Sequence, residues 1–186
     1  MKVLTLLLVL LTTGCLENEE TDIRILRETG DPAVVVMEQA NFYSSESDSL
    51  KIREDFDRLI HEWRSDEALT SGAADGFQIK GREVFLRDGK IVFRTTGILQ
   101  TLASTGDMQI SESSITLTVK EDIVETNGRI SDTDPKEIIW PKDAPELHVK
   151  LREELGDSYK TSQPQMLQLL QGHLATRGVE EGPGGR

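Results

Sequence analysis

Apolar residues recur along this chain with two different periods, and the change between them divides it. Between residues 49 and 64, Leu50, Phe56, Leu59, Ile60 and Trp63 fall on one stripe, with Ile52 near its edge and Lys51, Arg53, Glu54, Asp57, Arg58 and Glu62 elsewhere. Spacings of three and four are those of an amphipathic helix, and Ser45, Ser47 or Asp48 can cap its start. From Gly76 the period falls toward two: Phe77 and Ile79, Val84 and Leu86, then Ile91, Phe93 and Thr95 alternate with other residues. Arg87-Asp88-Gly89-Lys90 separates the last two groups, and an Asp-Gly pair there marks a hairpin. Met108 and Ile110, then Ile115, Leu117 and Val119, then Val124 and Thr126 continue the alternation, and Asn127-Gly128 supplies another favoured turn before Ile130. The pattern predicts about six to eight strands between residues 76 and 139, in an antiparallel sheet that buries one face and shows the other to water.

The flanks are read from the same signals. Val34-Val35-Val36-Met37 is either a short buried strand or part of a helix begun at Pro32, and periodicity does not separate the two. Ile138-Ile139-Trp140 is ended by Pro141, with Trp140 expected at the edge of the core. Pro145 is suited to open a helix with Leu147, Leu151 and Leu155 on one face and Gly156 as its stop. A second short helix is expected from Pro164 to Leu174, where Met166, Leu167, Leu169, Leu170 and Leu174 need a partner. Residues 15–33, dominated by Glu17, Glu19, Glu20, Asp22 and Glu28, read as an acidic tether, and residues 175–186 as a disordered tail. The expected organisation is a leader over 1–14, the tether, and a single α+β domain over 34–174 with a strand-rich core at 76–139. The expected fold class is α+β: an antiparallel β-sheet domain, sandwich or open jelly roll, flanked by an N-terminal amphipathic helix and short C-terminal helices.

The N-terminus carries the sharpest pattern. Met1-Lys2 precedes the apolar run Val3 to Leu11, which is too short for a bilayer-spanning helix of roughly 20 residues and has the length of a signal-peptide core. Thr12-Thr13-Gly14-Cys15 follows, and then the chemistry changes to Leu16-Glu17-Asn18-Glu19-Glu20. These residues resemble the bacterial lipoprotein signal: Gly14 and Thr13 are small as in that family, whereas Thr12 stands where leucine is usual and Leu11 lies one place early. The resemblance implies cleavage before Cys15, diacylglycerol on its sulfur, further acyl chains of the palmitate type, and a place in the cell envelope. Leu16, and not aspartate, follows the cysteine, which in that family implies the outer membrane before the inner one. Cys15 is the only cysteine, so an internal disulfide, thiol catalysis elsewhere and a cysteine metal site are excluded.

Charge narrows the partners. With 21 basic and 33 acidic residues the net charge is −12, a surface that repels phosphate backbones and speaks against nucleic acid. The same charge gives no broad hold on anionic lipid, so membrane attachment falls to the anchor at Cys15. His61, His148 and His173 are scattered and form no HExxH pair; each is expected on a helix surface. No GxSxG elbow or phosphate loop is present. Asp132-Thr133-Asp134 lacks the glycine and the later oxygens of a twelve-residue calcium loop, and Glu19-Glu20, Glu153-Glu154 and Glu180-Glu181 read as solubilising charge. No catalytic, cofactor-binding or metal residue is singled out, and the only site residue is Cys15, for lipidation. The leading expectation is a non-enzymatic envelope module, held to the membrane through the lipidated cysteine, with an envelope protein or a lipid as partner. Two alternatives stand beside it. The strand-and-glycine-turn rhythm of residues 73–130 is faintly similar to the bridge proteins of lipopolysaccharide transport, which implies an open jelly roll with a lipid groove. A secreted enzyme would instead need one histidine to meet a buried carboxylate or an exposed serine.

Overall fold

The structure, a computed structural model, describes residues 16–27, 32–64, 76–102 and 107–176. In chain order the elements are β1 (Leu16–Leu26), β2 (Ala33–Ser44), α1 (Ser49–Arg64), β3 (Phe77–Arg87), β4 (Lys90–Leu99), β5 (Met108–Ile110), β6 (Ser114–Thr118), β7 (Asp122–Thr126), β8 (Arg129–Ile130), β9 (Glu137–Pro141), β10 (Glu146–Arg152) and α2 (Asp157–Thr176). Six strands form one sheet in the order β3-β4-β2-β1-β10-β7, and four form another in the order β5-β6-β9-β8. Every pairing is antiparallel. The result is an α+β fold of two open sheets flanked by helices, as the alternation predicts.

Strand β4 shows how the layers are arranged. Ile91, Phe93, Thr95 and Leu99 alternate along it, so they share one face, and all are buried. Leu99 belongs to a first apolar cluster with Ile23, Ile25, Val35, Met37 and Phe77 of the large sheet and Ile115, Leu117, Ile138 and Trp140 of the small one. Ile91 and Phe93 belong to a second cluster with Phe42, Ile52, Phe56, Leu59 and Trp63, and with Met166 and Leu170 of α2. One face of the large sheet is therefore covered twice over, by the small sheet at one end and by the two helices at the other. Gly97 lies in this covered face because the Phe77 ring leaves no room: a Cβ there would stand 2.5 Å from the ring and 2.7 Å from the Gln78 carbonyl oxygen.

Local chemistry fixes the ends. The β3–β4 turn places Asp88 and Gly89 at positive φ of 52° and 75°, the geometry of a two-residue hairpin loop. Asp48 Oδ1 accepts the backbone N–H groups of Leu50 and Lys51 at 2.9 and 3.2 Å and so caps α1. The stripe of α1 is buried as expected from Phe56 to Trp63, but Leu50 is 73% exposed and Asp55 is buried in its stead. Asp55 is held by the Ser44 hydroxyl, which donates to Oδ2, and by Arg58. At ~3.6 residues per turn, Leu50 falls on the side opposite Leu59 and Trp63, while Ile52, placed at the edge of the stripe by the sequence, is fully buried with them.

Three expectations are corrected. Residues 16–26, expected as part of the tether, are the strand β1 in the interior of the large sheet, paired with β2 on one side and β10 on the other. Its Glu20 lies among the cations Lys150 and Arg152 on the outer face, while Ile23 and Ile25 enter the core. Residues 146–152, expected as a helix, are the strand β10. Leu147 and Leu151 satisfy both periods, but Val149 is buried with them, and only a period of two puts all three on one side. The C-terminal helix is longer than expected and runs from Asp157 to Thr176 with Pro164 inside it. Val34 to Met37, left open between strand and helix, lies in β2. The leader with Cys15, and residues 177–186, lie outside the described residues.

Candidate functional site

The outer face of the large sheet is built by the residues that alternate with the core. Register places Glu83, Arg94, Glu38, Asp22, Lys150 and Glu125 side by side across all six strands. Glu38 takes Arg87 at 2.5 Å and Arg94 at 2.7 Å. Glu20, one of the acids read as surface charge, is 6% exposed and bound by Lys90 at 2.9 Å, Lys150 at 3.1 Å and Arg152 at 3.1 Å. Burial pushes the Glu20 carboxyl up, but hydrogen bonds from Lys90, Lys150 and Arg152 outweigh it and hold the group at about 2. Glu38 is likewise lowered: burial opposes, and Arg87 and Arg94 prevail. The alternation of ionisable residues at 20, 22 and 24 and at 148, 150 and 152 was the signal for these two strands.

A second polar cluster closes one end of this face. Asn41, at positive φ of 59°, donates from Nδ2 to Glu19, and the Tyr43 hydroxyl donates to Glu17 Oε2 at 2.5 Å. Tyr43 meets Tyr159 of α2 edge-on, with ring centroids 5.3 Å apart. Burial, followed by Glu17, raises the Tyr43 hydroxyl far above the ordinary tyrosine range, so it serves as a donor and not as a base. Glu153 nearby is raised by burial and by the charges of Glu17 and Glu121.

The two helices frame an open groove. Ser49 O accepts from Gln165 Nε2 at 2.9 Å, and the Phe56 and His173 rings are 6.2 Å apart, so α1 and α2 advance in the same direction. Between them lies a cleft of about 870 Å³, with Arg53, Phe56 and Asp57 on one wall and Gln165, Gln168, Leu169 and His173 on the other. Both walls mix apolar stems with amide and charged ends. A cavity between the two sheets, lined by Ile23, Ile25, Leu117, Trp140 and Val149, holds about 10 Å³.

The histidines do not share one element. His61 is exposed on α1, and His173 on α2 contacts Arg64 at 2.8 Å. His148, expected on a helix surface, is instead buried in β10, its Nε2 3.2 Å from Asp22 Oδ1. The Ser44–Asp55 pair has Arg58 as its third member, which commits the carboxylate to holding a cation. In the calcium-like segment, Asp134 Oδ1 caps the Lys136 N–H at 2.9 Å and Asp132 pairs with Arg129 at 3.5 Å, so both acids are used in the β8–β9 turn. Among the described residues no group of three or more histidine, cysteine or acidic side chains is placed to hold a metal ion, and no helix is long and apolar enough to cross a membrane. The groove was invisible in the sequence, because residues from about 49 to 57 and 161 to 176 meet only through tertiary packing. No family model, no curated protein and no solved structure matches this chain.

Proposed function

We propose that this protein is a lipid-anchored module of the cell envelope, held at the membrane by acyl chains on Cys15, which receives a segment of another envelope protein in the groove between α1 and α2. The observation that carries the reading is that groove: an open cleft of about 870 Å³ between two helices running in the same direction. A small-molecule site is typically enclosed and mostly apolar. An open trough whose walls offer amides, an arginine, a carboxylate and a few apolar stems suits a peptide segment, whose backbone needs donors and acceptors along its length. An amphiphile carrier would need a channel for acyl chains, and the cavity between the sheets, about 10 Å³, has room for about one water molecule at most, which weighs against it.

The test is a photoactivatable crosslinker at Gln168, which lines the groove, in the membrane-tethered protein within its native envelope. One envelope protein is expected to be captured, and the capture is expected to fail when the crosslinker is moved to Leu86 on β3. Capture of lipid, or of the same mixture from both positions, would sink the reading. Inhibiting the lipoprotein signal peptidase is expected to leave an uncut precursor; unchanged processing would remove the anchor.

A further inference from the structure

Strand β1 carries the fold up to Leu16, the first described residue. Leu16 is 2% exposed, pairs with Ser44 at the end of β2 and packs in the cluster beneath the helices. Successive Cα atoms are ~3.8 Å apart, so a group carried on residue 15 is joined to the chain within one residue of this end of the β1–β2 ribbon. Only four residues separate Ser44 from α1, and the Ser44 hydroxyl donates to Asp55 in the second turn of that helix, which keeps its first turn at this end. That turn carries Leu50, which at 73% is the most exposed of the large apolar side chains among the described residues.

We propose that this end of the molecule, with Leu50 beside the anchor, rests directly on the lipid bilayer, Leu50 entering the headgroup boundary. The inference depends on the lipidation of Cys15 proposed above and adds to it an orientation. An anchor at the end of a long tether lets a domain tumble; an anchor next to a buried strand residue presses one fixed surface onto the membrane. That surface is suited to a zwitterionic leaflet. Its acids Glu46 and Asp48 are engaged, the first by Lys51 at 3.3 Å and the second as the α1 cap, and the protein's net charge of −12 gives no broad attraction to anionic lipid. The other end of the 11-residue β1, where Leu26 pairs with Val34, then lies ~33 Å farther along the ribbon at ~3.3 Å per residue.

The experiment uses the full mature protein, reconstituted in phosphatidylcholine vesicles that contain spin-labelled acyl chains as quencher. L50C and V34C each introduce one free thiol, since the Cys15 sulfur is consumed by its lipid, and both positions are exposed enough to accept the change and a fluorophore. The residue-50 label is expected to be quenched about threefold or more beyond the residue-34 label. Equal quenching, with acylated Cys15 found by mass spectrometry of the N-terminal peptide, overturns the orientation and leaves the anchored module standing. An unacylated Cys15 in mature protein overturns both.

Discussion

The two faces of the large sheet solve the same problem by opposite means. The covered face is largely apolar, and its side chains pack against the small sheet and the helices in two apolar clusters. Among the described residues no such layer covers the outer face, and there the strands are laced together by cross-strand charge pairs around Glu20 and Glu38. On the first face stability comes from area removed from water and close packing. On the second it comes from carboxylates sunk among cations, where each pair first has to recover the cost of its own desolvation. The difference teaches that an acidic stretch can be the middle of a sheet when its charges alternate and their partners arrive from neighbouring strands.

The largest expected effect lies on the covered face. Trp140→Ala removes a side chain that is 2% exposed and the hydrogen bond that its Nε1–H donates to Asn127 Oδ1 at 2.7 Å. The variant is expected to lose about 3–5 kcal/mol in denaturant unfolding; a loss below about 1 kcal/mol would mean that the small sheet adds little to the core. Next comes the centre of the outer face. Glu20→Gln leaves Lys90, Lys150 and Arg152 around a neutral group and is expected to cost on the order of 2–3 kcal/mol at neutral pH, toward the lower figure because the cations keep partly exposed ends.

That variant also sharpens the comparison through pH. The Glu20 carboxyl is at about 2 in the folded protein against an ordinary 4.5. Its contribution is therefore complete above pH 4.5 and is lost as pH falls from there toward 2. The parent is expected to lose stability more steeply than Glu20→Gln across that window, and parallel curves would show that Glu20 is not held by its cations. The smallest effect belongs to the rim: Glu83, 54% exposed, pairs with Arg94 at 3.0 Å, and Glu83→Ala is expected to change stability by less than about 1 kcal/mol and still less at high salt.

Much of this architecture was legible in the chain. The alternation from Phe77 onward predicts the strands, the Asp88-Gly89 turn is where its residues place it, and the stripe from Phe56 to Trp63 is the buried side of α1. Legibility failed where local signals compete. Leu147, Leu151 and a preceding proline imitate a helix start, and β1 recruits the segment into the sheet through seven residue pairs that its own sequence does not encode. Glu20 looked like surface charge because none of its three cations lies near it in sequence.

The α+β class could be read from the chain alone, as could the expectations of an anchor at Cys15 and of partners other than nucleic acid, because periodicity, net charge and a single thiol need no tertiary contact to be seen. Only the tertiary structure decided that the acidic stretch is a strand, that the two helices leave a groove, and that Leu16 is buried while Leu50 is exposed. Those features arise from contacts between segments far apart in the chain, and such contacts depend on which faces meet and in what register, which local patterns constrain without choosing.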